Sequence, residues 1–541
     1  MTGVEEELRN RKYNALRGGP RFAGPHTPVF IFNVFMKLGY VKYILLGVVF
    51  FLPLSGLCEI LNVNSGFETF NLSLGMGATE TETSYTIANQ IYDKLLDMDT
   101  KGRIVPLLAT EWRYIDPKTL EFKLRKGIQF HNGERFDARS VKFSLEYFIK
   151  QHYFVSKMLN PIEKVIIIDP YTVRIKTRVA DGLLLPRLAF WGFMFPYDYV
   201  RKNGVNKIDS NPVGSGPYIL DSVVKNKRIT LVKNKNYWNK EIFLFDKVNI
   251  HCKLEEDDLT IDHRNEMDII VNAEAGSSLH YLKSNQYVVK KIPSFYEIFG
   301  IFNLRNVNSP VQDVRVRKAI NYAIDRDALQ RLVIKGNGRI LATLSMPGEI
   351  GYDKNTSKYK YDLYMAKKLL AEAGYKKGIN LRIGLQPDLA ADSNYVKFLK
   401  ACLKQANIRP EIDRKFNLSM IIETNTTPDS NAGFWNGDIL IGGDPSPYLH
   451  SDFIIYQFFV RGALFNMFDN NDFESLYRDA STELDKVLQD LKYQKLNRFI
   501  YDNALALFLN QQIRIYIVKK TIDYDPPVNG MLNLRYARRY Y

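Results

Sequence analysis

The chain has 541 residues, 46% of them apolar and 25% charged, which is too long for one core and too apolar for intrinsic disorder. Lys and Arg number 74 against 59 Asp and Glu, a net charge of +15, yet the basic residues form no arginine-rich run, so no nucleic-acid partner is expected. Three cysteines, Cys58, Cys252 and Cys402, exclude a disulfide framework, and no CxxC or HExxH spacing supplies a zinc site.

Near the N-terminus, Lys37 and Lys42 precede the apolar run Tyr43 to Leu54, and Ser55-Gly56-Leu57-Cys58 follows. This basic, apolar, small order is that of a secretory signal peptide over residues 36–58; Met36 then reads as the start, or residues 1–35 as a dispensable extension. Pro53 and a short uninterrupted core argue against a spanning anchor. Leu57 stands where a lipoprotein box has a small residue, so acylation of Cys58 has weak support.

Residues 61–74 alternate partly as a strand, and residues 85–96 carry helical spacing. Residues 119–124 predict a strand, residues 129–134 a turn, and Asp137 an N-cap for a helix over 138–149. Strands over 165–168 and 172–176 flank Asp169-Pro170. The loop Asn211-Pro212-Val213-Gly214-Ser215-Gly216-Pro217-Tyr218 leads into strands over 219–224 and 228–233. Gly214 and Gly216 answer to tight backbone geometry, and Ile219 breaks a GxGxxG phosphate pattern. Residues 314–324 give a one-faced helix, Asp325 stops it and caps the next turns, and residues 362–373 form a helix closed by Gly374. A strand (380–385), a helix (394–406) and a strand (409–412) follow in β-α-β order. A long helix over 484–507 and a strand over 513–518 end the pattern. The class is α/β in the mixed α+β sense, with two mixed sheets fitting better than one doubly wound sheet.

Several segments resemble the extracellular solute-binding proteins of the peptide- and nickel-binding family, family 5, the ligand receptors of ABC importers. They are residues 106–112, residues 122–134 with Asp137, Ser140 and Val141, residues 212–218, Asn236-Tyr237-Trp238, Phe302-Asn303, residues 313–319 and residues 322–326, all in the family's order. The resemblance implies a periplasmic-binding-protein-like type II fold, two lobes with a hinge in a three-domain arrangement. Domain I is expected over 59–85, 197–295 and 508–541, an inserted domain II over 86–196, and domain III, the opposite lobe, over 296–507. Ligand would bind between the lobes and close the hinge. The implied partners are a small solute or short peptide, a membrane permease and separate ATPase subunits, for an exported monomer that needs no cofactor or metal and performs no chemistry.

In peptide-binding members, an acid of the third domain pairs with the ligand's α-ammonium. The matching stretch runs from Gly433-Phe434-Trp435 through Asp438 to Gly442-Gly443-Asp444-Pro445-Ser446-Pro447-Tyr448, which makes Asp444 the candidate and Asp438 the second choice. A carboxylate in a water-excluded cleft makes charge-assisted hydrogen bonds to an ammonium group, although Asp444 could equally cap its own turn. The spacing from acid to proline is shorter than in the peptide binders. Gly443 and the aromatic residues Trp435, Tyr448 and Tyr296 complete the expected ligand site, with core packing the competing role for each ring. His131 reads as structural, whereas His450 could face the cleft. The rival readings are a secreted hydrolase built on Asp438 and Asp444, a binding protein of this fold for a metal chelate, haem or oligosaccharide, and a tethered receptor without transport.

Overall fold

The computed structural model describes residues 58–66, 82–150, 154–252, 266–273, 281, 285–418, 420–421 and 435–540. The signal-peptide reading of residues 36–57 and the far end of the strand expected over 61–74 lie outside them.

The described chain opens with β1 (Ile60–Asn64) and the helix Glu82–Ile91. The helix expected as far as residue 96 ends early, because Leu96 enters the short pair β2 (Leu96–Met98) and β3 (Ile104–Pro106). Next come β4 (Ala109–Asp116), β5 (Thr119–Leu124), β6 (Ile162–Asp169) and β7 (Thr172–Thr177), a four-stranded antiparallel sheet of their own in the order β4-β5-β7-β6. The helix Ala138–Lys150 buries Ala138, Val141, Leu145 and Phe148 along one stripe. Its cap is the expected one, since the Asp137 carboxylate accepts from the Arg139 amide at 2.8 Å.

The glycine-proline loop behaves as its composition suggests. The Gly216 amide donates to the Ile91 carbonyl at 2.8 Å, and a Cβ on Gly214 would lie 2.0 Å from that same oxygen. Only a residue without a side chain lets the backbones approach so closely. His131 locks the loop from the other side: its amide donates to the Gly214 carbonyl at 2.7 Å, and its Nε2 lies 3.1 Å from the Gly216 carbonyl oxygen. Burial brings its pKa down to about 4, so it serves as a neutral structural residue.

An eleven-stranded sheet takes up the remaining strands except Ile522–Asp523 and Arg538–Arg539, which pair with each other. With β1 it contains β8 (Tyr218–Val224), β9 (Arg228–Lys233), β10 (Lys247–His251), β11 (Ile269–Ile270), β12 (Tyr287–Phe302), β13 (Gly338–Ile340), β14 (Ile379–Leu385), β15 (Ile408–Ile412), β16 (Ile439–Pro445) and β17 (Ala506–Lys519). The order is β15-β14-β16-β12-β17-β11-β1-β10-β9-β8, and β13 also pairs with β17. The two mixed sheets anticipated from the sequence are therefore joined into one. The joint is made by β12 and β17, 16 and 14 residues long, which pair antiparallel through both halves. Tyr287–Pro293 runs beside Ile513–Lys519, and the register then shifts before Glu297 pairs with Gln511. A bulge of this kind bends and twists a strand locally.

Two further differences from the sequence reading matter for the site. The helix expected over 484–507 stops at Asp502; Ala504 turns the chain at φ 46°, and residues from Ala506 are recruited into β17, so strand pairing overrides helix propensity. The apolar segment Asp452–Phe459, which carries no clear amphipathic period, is a buried helix. Among the described residues no helix is long and apolar enough to cross a membrane.

Candidate ligand site

The site grows out of the bulge shared by β12 and β17. Beyond it, β12 pairs on its other edge with β16, and Glu297 stands directly opposite Asp444. Opposed residues of an antiparallel pair project to the same face, with Cβ atoms about 5 Å apart. Asp444 keeps some solvent exposure. Its one described hydrogen bond is from the Gln457 side-chain amide at 3.3 Å, and burial pushes its pKa up to about 7 against that bond. Glu297 is 1% exposed, and among the described residues neither of its carboxyl oxygens has a hydrogen-bond partner. Burial, with the neighbouring acids Glu349 and Asp444, raises its pKa well above the carboxylate range. Glu349 sits in the turn after Met346 and accepts from the Met346 amide at 2.6 Å, while its Oε1 has no partner; burial lifts its pKa to about 7. Three acids thus converge beside the bulge.

Tyr296 and Gly443 occupy the opposite face of the same strands. A Cβ on Gly443 would lie 2.3 Å from the Tyr296 ring, so the glycine makes room for that ring. The two residues line a cavity of about 200 Å³ with Asn337, Tyr395, Asn510 and Gln512. Tyr448 is buried, and its hydroxyl donates to Asp452 at 2.8 Å. Trp435 is 2% exposed; it donates its indole N–H to Asp413 at 3.0 Å and packs on Phe416. It precedes β16, at the far end from Asp444, and is not brought together with it.

Asp438 is also placed at that far end. Its carboxylate accepts from the Ser309 hydroxyl at 2.5 Å and the Arg382 amide at 2.6 Å. Six residues of extended strand separate it from Asp444, on the order of 20 Å, whereas glycosidase carboxyls stand at most about 9.5 Å apart. The two cannot act as the acid pair a hydrolase would require. His450 does not face an open cleft. It is buried with its ring edge-on to Tyr493, its Nδ1 accepts from the Asp452 amide at 3.0 Å, and burial brings its pKa down to about 3.

Behind Tyr448 lies a hub that sequence reasoning missed. The Asp452 carboxylate, 0% exposed, accepts from Tyr448, Tyr477 and Tyr493 at 2.8 to 2.9 Å and from Arg187 at 3.0 Å. Arg187 comes from the helix Leu184–Trp191, whose Trp191 packs on Tyr448 and Phe453. Glu297 and Glu349 were missed as well. The available signal was a lone acid within the apolar run Phe295-Tyr296-Glu297-Ile298-Phe299, which is anomalous in a strand buried on both faces.

The family model for bacterial extracellular solute-binding proteins, family 5, middle part, matches residues 103–461. The chain belongs to this family. The binding protein is 24% identical over 466 residues to the heme-binding protein A of Haemophilus influenzae, an alignment covering 78% of this chain and 82% of the relative. It is 28% identical over 363 residues to the nickel-binding protein NikA of Staphylococcus aureus, covering 65% and 71%. Among solved structures it resembles the periplasmic binding protein DppA of Helicobacter pylori in complex with the peptide STSA, with a TM-score of 0.75 and 21% identity over 89% of this chain and 98% of that one. That likeness confirms the periplasmic-binding-protein fold of type II.

Proposed function

We propose that this binding protein is the receptor of an ABC importer and captures a peptide-like solute bearing an amino group, which it delivers unchanged to the permease. The observation that carries the reading is Asp444: a partly exposed carboxyl beside the strand bulge, its charged form held only by Gln457. An ammonium group placed there would draw the pKa down and supply the cation the carboxylate lacks. The named ligands of relatives include haem, nickel and a peptide; a carboxylate with no imidazole or thiolate beside it suits an amine best.

In this reading the domain limits are those expected from the sequence. β12 and β17 carry the chain from domain I (59–85, 197–295, 508–541) into domain III (296–507), and their bulge is the hinge. Tyr296 and Gly443 back the ligand site from the opposite face of β12 and β16, Tyr448 supports its near side, and Trp435 holds the entry to β16 from behind. The protein is exported and works as a monomer with a permease and separate ATPase subunits.

The test is to incubate the full chain with a pool of two- to five-residue peptides, isolate the complex by gel filtration and analyse the bound molecules. Intact peptide near one equivalent, undiminished with time, is the expected result. Cleavage products that accumulate with incubation, or no retained peptide, overturn the reading.

A further inference from the structure

The buried acids among the described residues fall into two groups. Asp93, Asp97, Glu121, Asp181, Asp268 and Asp452 each stand within 4 Å of a Lys or Arg nitrogen, and Asp438 takes hydrogen bonds from Ser309 and Arg382. That is the rule for buried charge, because an unpaired carboxylate in a protein interior is strongly disfavoured. Glu297 has neither kind of partner and Glu349 has only the Met346 amide, and both lie beside the part-exposed Asp444.

The side chains around them make the exception sharper. On its β16 side Glu297 faces Asp444, and on its β17 side it faces Gln511. Gln511 spends its amide N–H on the Ser294 carbonyl at 2.9 Å, leaving its own Oε1 without a partner. Both oxygens of Glu297, Oε1 of Glu349 and Oε1 of Gln511 are thus buried acceptors without a donor. The charged groups that act on Glu297 are the two neighbouring acids; on Asp444 the one polar influence is Gln457, and on Glu349 it is Ser345, Ser446 and the Met346 amide. The arginine of β17, Arg514, is committed to Glu82 and to the Gly530 carbonyl, and Arg339 of β13, which pairs with Gln511 at the outer end of the same row, is exposed. Among the described residues no group of three His, Cys, Asp or Glu side chains could hold a metal ion, so the missing donors are not those of a single coordinated ion. Three neighbouring acids whose ionisation burial opposes form a place where a ligand's positive charge would favour the charged carboxylates.

We infer that Glu297 and Glu349 extend the Asp444 site into a three-carboxylate pocket selecting a ligand with two positively charged nitrogens, a short peptide whose first residue is Lys or Arg. The α-ammonium meets Asp444, and the basic side chain reaches Glu297 and Glu349. The inference rests on the amine-receptor reading above and names its ligand class. Each ligand nitrogen brings donors to acceptors that otherwise have none, and its charge converts the pocket from partly protonated to ionised. Binding below neutral pH therefore releases protons.

The experiment is isothermal titration of the full chain with Lys-Ala, Ala-Ala, Glu-Ala and 1,5-diaminopentane at pH 7.5, repeated for Glu297→Gln and Glu349→Gln. The expected result is Lys-Ala binding about ten-fold or more tightly than Ala-Ala, the difference made by one charge-assisted contact, with Glu-Ala weakest. Either substitution should bring Lys-Ala down toward the affinity of Ala-Ala, and unchanged circular dichroism and urea unfolding of each variant separate a lost contact from damage to the fold. At pH 6 the apparent enthalpy for Lys-Ala should differ between phosphate and Tris, whose ionisation enthalpies differ, in the sense of proton release. Lys-Ala and Ala-Ala binding equally in the wild type, or a preference that survives both substitutions, overturns this inference and leaves the peptide receptor standing. Tight binding of the diamine without any dipeptide keeps the dicationic site but overturns its peptide source. No binding by any of the four overturns the inference and the amine-receptor reading together.

Discussion

Asp452 is the residue whose loss the structure makes most costly. Its carboxylate is fully buried and takes four donors, three tyrosine hydroxyls and the Arg187 guanidinium. Burial alone would raise its pKa, but Arg187, His450 and the tyrosine hydroxyls outweigh burial and hold it below the usual carboxylate range. In Asp452→Asn the shape is kept and the charge removed. Arg187 is then left with Asp181 at 3.7 Å, and at least one hydroxyl faces an amide N–H instead of an oxygen. Four charge-assisted bonds at about 1.5–3 kcal/mol each would sum to more than the change can cost, because the bonds share one acceptor and are not additive. Breaking a buried ion pair by neutralising one partner costs about 3–5 kcal/mol, a large part of the ~5–15 kcal/mol that holds a domain folded. Equilibrium unfolding in urea at pH 7 reads this directly. A single-mutant loss below about 1 kcal/mol would refute the hub as an ionised, mutually dependent cluster.

Other expectations follow from the site and the loop that frames it. Asp444→Asn should weaken binding of an amine ligand by about 2 kcal/mol or more, roughly thirty-fold, as truncating one partner of a buried charged pair does; titration calorimetry checks it, and an unchanged affinity would move the ammonium elsewhere. Glu349 has a folded pKa of about 7 against an ordinary value of 4.5, so between those pH values the folded state holds more protons than the unfolded one. The ligand-free protein should therefore lose stability as pH rises through that window, by up to about 3 kcal/mol from this group, and level off above it; unfolding midpoints at pH 5 and 8 measure the loss, which saturating ligand should reduce. Gly214→Ala places a Cβ 2.0 Å from the Ile91 carbonyl oxygen, a backbone atom that cannot swing aside, and should cost more stability in urea unfolding than Gly127→Ala, where nothing lies within 4 Å and only the left-handed backbone at φ 78° opposes the Cβ.

Local rules carried much of the fold. Asp137 and Asp325 cap helices where the sequence places them, accepting from the Arg139 and Ala328 amides, because a cap depends only on neighbours in the chain. The glycine-proline loop was legible for the same reason. β12 was not: Lys290, Lys291 and Pro293 interrupt its alternation, and its existence depends on pairing with β16 and β17, which lie far along the chain. The helix over 484–507 was drawn too long because nothing local reveals that Ala506 belongs to a strand. For the site, the resemblance supplied Asp444, whereas Glu297 and Glu349 become a pair only once β12 and the turn at Met346 are folded together. Trp435 and Asp438 read as site residues because they lie in the stretch that resembles the peptide binders, but an extended strand carries its two ends apart.

The claim that this chain is a receptor for a basic, amine-bearing solute is tested most directly by purifying the full chain without denaturant, releasing what it holds with acid, and identifying it by mass spectrometry. The account predicts a short peptide with an N-terminal Lys or Arg at close to one molecule per chain. A solute with no basic nitrogen at that stoichiometry would contradict it.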